Sequence, residues 1–106
     1  MKKTKIVCTM GPNTNDREVM RSLIRGGMDI ARFNFSHGSQ EEHKSRMDLL
    51  KVLREEEHTN TAILLDTKGP EIRTGLLKDH KKVMLNKGDV FTLTTEEIEG
   101  DEKRVS

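Results

Sequence analysis

Arg32, Asn34, Ser36 and His37 stand close together in the chain, and Gly38 follows them. The guanidinium of Arg32 is a planar fork of donors that matches a phosphate or a carboxylate. Asn34 and Ser36 are two apart, so on an extended chain both point to one side. An amide oxygen beside a hydroxyl oxygen suits a hard cation. His37 can donate or accept a proton near neutral pH, and Gly38 frees the backbone to turn. Two more polar clusters, Gly11-Pro12-Asn13 and Asp66-Thr67-Lys68, interrupt apolar runs in the same way. Each has an ordinary explanation when taken singly. Arg32 could be a strand-end ion-pair residue, Asn34 and Ser36 a polar turn, and Asp66-Thr67 a strand exit with a local side-chain bond. Together, on one edge of a sheet, they point to a site for phosphate and cation chemistry.

The elements around these clusters decide whether they share an edge. Residues 5–10 read as a short buried strand stopped by Gly11-Pro12-Asn13. Asn15 as N-cap with Glu18 three residues on is a capping-box pattern, and Val19, Met20, Leu23 and Ile24 form the apolar face of the helix that follows. Gly26-Gly27 ends that helix. Residues 28–35 read as a second strand, apolar enough to be covered on both faces. Ser39, with Glu42 at N3, caps a second helix. Met47, Leu50 and Leu53 form its buried stripe; Lys44, Arg46, Lys51 and residues 54–57 belong to its wet side. Residues 61–65 form a third buried strand that ends at Asp66-Thr67. Strand–helix–strand–helix–strand implies parallel strands with right-handed crossovers. All three polar clusters then lie at strand carboxyl ends, where such sheets build their sites. Beyond Lys68-Gly69-Pro70 the pattern changes to short strands at 72–76, 82–85 and 90–94. Turn signals at Asp79-His80 and Asn86-Lys87-Gly88-Asp89 separate them and predict an antiparallel unit. Residues 96–106 are mostly charged and carry no core of their own.

Composition removes several classes. Charged residues make up 35% of the 106 residues, hydrophobic ones 32% and aromatics 3%. This is a thin core for a stand-alone domain, yet the apolar residues are patterned and the chain is not read as disordered. A net charge of +1 without a basic, aromatic-laced stripe gives no nucleic-acid footprint. No run is long or apolar enough for a membrane span, and no secretory h-region is present. The single cysteine, Cys8, permits no internal disulfide and fits a reducing, cytoplasmic compartment. In a strand it reads as an inert buried thiol. His43 is expected at the surface or as a capping residue. His37 and His43 do not have zinc-site spacing, and His58 and His80 read as loop residues. Gly11-Pro12 does not open a Walker A loop.

Three ordered stretches carry a resemblance. They are Thr4-Lys5-Ile6-Val7-Cys8-Thr9-Met10-Gly11-Pro12, then Gly27-Met28-Asp29-Ile30-Ala31-Arg32-Phe33-Asn34-Phe35-Ser36-His37-Gly38, then Leu65-Asp66-Thr67-Lys68-Gly69-Pro70-Glu71-Ile72-Arg73-Thr74-Gly75. They resemble the amino-terminal part of pyruvate kinase, and the similarity covers nearly the whole chain. The resemblance implies an α/β fold. Residues 1–69 would supply the first strands and helices (β-α-β-α-β) of a (β/α)8 TIM barrel. Residues 70–106 would begin an inserted antiparallel β-barrel (lid) domain and leave it incomplete. It implies a glycolytic phosphotransferase that moves phosphoryl from phosphoenolpyruvate to ADP, giving pyruvate and ATP. Mg2+ or Mn2+ and K+ would be the cofactors, and the full-length form a homotetramer. By the same resemblance Arg32 contacts the phosphate of phosphoenolpyruvate. Asn34, Ser36, Asp66 and Thr67 hold potassium, Thr67 through its backbone carbonyl. Asn34, His37 and Arg73 approach the nucleotide phosphates, and Glu71 marks potassium-dependent members. The family's catalytic Lys and divalent-metal carboxylates lie further along its chain, so the 106 residues alone are expected to be inactive. The rival expectation is a stand-alone, non-catalytic module that binds a partner through its open strand edges.

Overall fold

The computed structural model describes residues 2–106, in two compact units, Met1–Gly69 and Pro70–Ser106. In the first unit a three-stranded parallel sheet runs in the order β1 (Val7–Thr9), β2 (Ile30–Asn34), β3 (Ala62–Asp66). Helix α1 (Arg17–Arg25) joins β1 to β2, and helix α2 (Gln40–Glu56) joins β2 to β3. Register sets Thr9 beside Arg32, and Arg32 and Asn34 beside Leu64 and Asp66. β2 and β3 therefore finish level with one another, and β1 ends two residues earlier, beside Arg32.

Alternation along β2 organises the core. Ala31 and Phe33 are fully buried with Met20 and Ile24 of α1 and with Leu50 and Leu53 of α2. Burying a side chain such as Phe33 contributes about 1.5–3 kcal/mol. Ile30, Arg32 and Asn34 lie on the opposite face and are only half-buried. The expectation of a second strand covered on both faces holds on one face. β3 differs more: Leu64 is 39% and Leu65 49% exposed, so it is an edge strand and not a buried one. The physical reason is the same for both. A parallel sheet is apolar on both faces when layers cover both, and the helices of this unit cover one.

Two details of the helices also depart from the sequence reading. The N-cap of α1 is Asp16, not Asn15; its carboxylate accepts from the backbone N–H of Glu18 at 2.9 Å and of Val19 at 3.0 Å. The side-chain oxygen of Asn15 is already taken by Arg46 Nε at 2.5 Å. Val19 of the expected apolar face is exposed, while Met20 and Ile24 are buried. In α2 the Ser39–Glu42 capping box forms as expected. The buried stripe, however, is His43, Arg46, Leu50 and Leu53, with Met47 only partly covered. His43 and Arg46, expected at the surface, are 4% and 6% exposed. The positions 43, 46, 50 and 53 follow the helical period; polarity hid the first two. At the other end of the pair, Arg17, Arg21 and Arg25 of α1 meet the end of α2. Arg21 donates to Glu57 at 2.9 Å and to Glu56 at 3.0 Å, Arg25 donates to Glu57 at 2.8 Å, and Arg17 pairs with Glu56.

The second unit is only lightly paired. β4 (Thr92–Leu93) runs beside β5 (Arg104–Val105), and a single bridge links Leu77 to Gly100. All of these pairings are parallel, so the antiparallel expectation is corrected. Residues 72–76 and 82–85 form no strand. Ile72, Leu76 and Met84 are largely exposed, and strands this apolar need an opposing layer to pair stably. The charged end of the chain does contribute to a core. Val105 is buried at 2% exposure, and the Ser106 carbonyl accepts from Gly75 N–H at 2.5 Å.

Candidate functional site

The carboxyl ends of β1, β2 and β3 converge on one edge of the sheet, and the short register offsets decide which side chains meet there. Arg32 reaches across all three strands. Its Nε donates to Asp66 Oδ2 at 2.9 Å, its Nη2 makes a closer bond to the same oxygen, and its Nη1 donates to Thr9 Oγ1 at 3.0 Å. The Arg32 side chain stays 32% exposed and that of Asp66 40%, so both are partly open to solvent.

Beyond β2 the chain makes a compact turn. Asn34 Oδ1 accepts from Ser36 N–H at 3.0 Å, and the Asn34 carbonyl accepts from His37 N–H at 3.3 Å. Phe35 N–H donates to the Asp66 carbonyl at 2.9 Å, which ties the turn to β3. Gly38 has φ +75°, where an added Cβ would stand 3.0 Å from Glu42 Oε2. Conformation and space both call for glycine here. Glu42 in turn accepts from Ser39 N–H at 2.8 Å, and this bond, more than the charge of Arg46, holds its carboxyl below the usual carboxylate range.

A cavity of about 410 Å³ opens between this turn and the loop after β1. Asn34 and His37 line it, with Gly11 and Pro12 opposite and His43 and Arg46 of α2 at one wall. The structure thus brings Asn34 and His37 into one cavity and pairs Arg32 with Asp66 beside them. Ser36 and Thr67 are exposed at the ends of β2 and β3. Glu71 and Arg73 belong to the second unit, where their side chains approach to 3.7 Å. His43 and Arg46 were missed by reasoning from sequence, and their helical spacing to Leu50 and Leu53 was the signal that could have found them.

The donor set decides what could be held. Asn34 and Asp66 are register partners, with Ser36 and the Thr67 backbone next to them. Amide, hydroxyl, carboxylate and carbonyl oxygens suit a hard cation and do not suit a thiophilic one. No cluster of three or more His, Cys, Asp or Glu able to hold a metal occurs among the described residues. No helix of the described residues is long and apolar enough to cross a membrane.

Parallel strands with a guanidinium and oxygen donors at their carboxyl ends narrow the candidates, and sequence comparison decides the family. Residues 1–105 match the model of the pyruvate kinase barrel domain. The chain belongs to the pyruvate kinase family. It is 47% identical over 105 residues to the cytosolic pyruvate kinase isozyme of Solanum tuberosum, covering 98% of this chain and 21% of that protein. It is 48% identical to pyruvate kinase of Staphylococcus saprophyticus, covering 100% of this chain and 18% of that protein. Pyruvate kinase of Cryptosporidium parvum superposes with a TM-score of 0.74 at 40% identity, over 97% of this chain and 22% of that one. The complex of the Cryptosporidium enzyme with ADP superposes with a TM-score of 0.76. The chain therefore has the α/β, parallel-sheet fold of the pyruvate kinase barrel domain. It spans about a fifth of the length of the relatives it matches.

Proposed function

We propose that this chain forms the amino-terminal part of a pyruvate kinase, a cytoplasmic phosphotransferase that converts phosphoenolpyruvate and ADP to pyruvate and ATP. In this reading residues 1–69 open a (β/α)8 barrel and residues 70–106 begin an inserted β-domain, in a full-length homotetramer. The observation that carries it is Arg32. On a pyruvate kinase barrel segment, its guanidinium bonds across all three strands, and the side chain is still one-third open to solvent.

Arg32 binds the phosphate of phosphoenolpyruvate. Its fork offers two donors to one anion, and Asp66 and Thr9 hold it in place until the anion arrives. Asn34, His37 and Arg73 orient the nucleotide phosphates, Asn34 and His37 from the cavity wall. Asn34, Ser36, Asp66 and the Thr67 carbonyl hold potassium, and Glu71 marks that dependence. Potassium, once bound, supplies fixed positive charge near the transferring group. Phosphoryl transfer depends mainly on such positioning and charge stabilisation. The catalytic Lys and the carboxylates for Mg2+ or Mn2+ are supplied by later parts of the family's chain. The 106 residues alone therefore give no turnover.

The test is pyruvate release from phosphoenolpyruvate and ADP, with and without K+. A natural polypeptide that contains this chain and continues beyond Ser106 is expected to be active and the 106-residue chain inactive. An inactive longer polypeptide, or an active 106-residue chain, overturns the reading. A second reading draws on the exposed Leu64 and Leu65 of β3 and Val7 of β1: a non-catalytic module that adds a partner's strand to its sheet. A cellular species of 12.1 kDa, found bound to a partner, would favour it.

A further inference from the structure

We propose that His43 and Arg46 are positioning residues, which fasten to one helix the two loops that line the cavity at the strand ends. The inference rests on the reading of that cavity as the nucleotide-phosphate end of a phosphotransferase site.

Both side chains sit on the buried stripe of α2, in line with Leu50 and Leu53. Each makes one well-defined bond outward. The His43 ring lies with Nε2 2.6 Å from the His37 carbonyl oxygen, so Nε2–H is the donor. Arg46 Nε donates to Asn15 Oδ1 at 2.5 Å. His43 thus holds the turn after β2, and Arg46 holds the loop between β1 and α1. The turn is packed on the ring as well as bonded to it. Phe35 stacks on the imidazole at 4.5 Å and 10°, Phe33 meets it edge-on at 6.3 Å, and a Cβ at Gly38 would stand 3.4 Å from Nε2. The ring has little freedom, so neither has the carbonyl it holds.

Stability alone does not explain these residue types. His43 Nδ1 is buried and has no partner among the described residues, and a buried polar atom left unpaired costs free energy. An apolar residue of similar shape would escape that cost. A nearly buried guanidinium on an apolar stripe carries a desolvation cost too. What His and Arg supply, and Leu could not, is a donor aimed at each loop. The result fixes the separation between Gly11-Pro12 on one side of the cavity and Asn34-His37 on the other.

The experiment uses the natural polypeptide that carries this chain, with the variants His43→Phe, His43→Gln and Arg46→Met. Hydrogen–deuterium exchange is read over residues 11–15 and 35–38, alongside thermal melts and, separately, kcat and the KM for ADP. His43→Phe is expected to speed exchange over 35–38 by about tenfold, as for loss of one hydrogen bond. It should also raise the KM for ADP more than it lowers kcat. His43→Gln, whose amide can place an N–H near the Nε2 position, is expected to restore both. Arg46→Met is expected to speed exchange over 11–15 and leave 35–38 unchanged. Unchanged exchange in His43→Phe and Arg46→Met overturns the proposal. So does fast exchange over 35–38 in a folded His43→Gln, and this variant decides the matter if His43→Phe does not fold. A polypeptide with no turnover would sink the functional reading, while exchange would still judge the positioning role.

Discussion

Replacing Arg32 by Ala removes the bonds the side chain makes to Asp66 and Thr9 and, on the proposed reading, a phosphate contact, and the two losses have different sizes. The first is structural. Arg32 bonds to Asp66 and Thr9, linking β2 to both neighbours. A hydrogen bond to a charged group is worth roughly 1.5–3 kcal/mol. With the Arg32 side chain 32% and the Asp66 side chain 40% exposed, solvent screening leaves about 0.5–1 kcal/mol for each partner. The sum is about 1–2 kcal/mol. In the 106-residue chain, with a first unit of the size of Met1–Gly69, each kcal/mol moves the midpoint by about 4–8 °C, so a fall of about 5–15 °C is expected there by circular dichroism, and a smaller one in the longer polypeptide used for kinetics. The second loss is functional. If Arg32 receives the phosphate of phosphoenolpyruvate in a closed site, one charged contact of roughly 1.5–3 kcal/mol disappears. At 1.36 kcal/mol per decade that is a loss of roughly 10- to 150-fold in kcat/KM for phosphoenolpyruvate. Arg32→Lys keeps the charge without the fork and should recover only part of it. Asp66→Asn separates the two effects: it leaves the Thr9 bond in place and should lower the midpoint by no more than about half as much, but its kinetic defect should appear in the K+ requirement. An Arg32→Ala protein that melts lower, yet keeps kcat/KM for phosphoenolpyruvate within twofold of the parent, would refute the phosphate role and leave Arg32 as a strand-end ion pair.

Two further outcomes follow from the helix pair. Hydrogen bonding from Arg25, followed by that from Arg21, holds the Glu57 carboxyl below its usual range. A depressed carboxyl stabilises the fold above its unfolded value, about 4.3 for Glu, and loses that contribution as pH falls through the lower folded value. Melting points should thus be level from pH 7 to about 5 and fall below about 4.3. Glu57→Gln should melt lower at pH 7 and show a shallower acid decline; an identical decline in both proteins would rule the carboxylate out as its source. At the other end of α1, Asp16→Ala should cost about 1 kcal/mol, the usual loss for an N-cap. Asn15→Ala should leave the helix start intact, with faster exchange confined to residues 11–15. Equal loss of α1 helicity in the two variants would contradict the assignment of the cap to Asp16.

Much of this molecule was legible in order along the chain. Ser39 and Glu42 announce α2 because a capping box is a contact between neighbours in sequence. Gly26 and Gly27 end α1 for an equally local reason. The alternation of strand and helix makes the sheet parallel whatever the later packing, and so it brings Arg32, Asn34 and Asp66 to one edge. The choice of Asp16 over Asn15 was not legible, because either can cap and Arg46, 31 residues away, claims Asn15. Nor was the burial of His43 and Arg46. Residue type places both in water, and only the face that α2 turns toward Phe33 and Phe35 places them inside. In the second unit the turn signals were local, but strand pairing needs a layer to pair against. Residues 72–76 and 82–85 form no strand, and Val105 finds its place through pairing with Leu93 of β4.

The sequence by itself determined the element order, the direction of the strands and which chemical groups stand at their ends, because helical and strand periods and caps act over a few residues. Tertiary structure alone decided that one arginine would bind across three strands, that β3 would stand at an edge, and that a histidine and an arginine would be drawn into the core to hold two loops. Those outcomes depend on distances between residues far apart in the chain, which no local preference encodes.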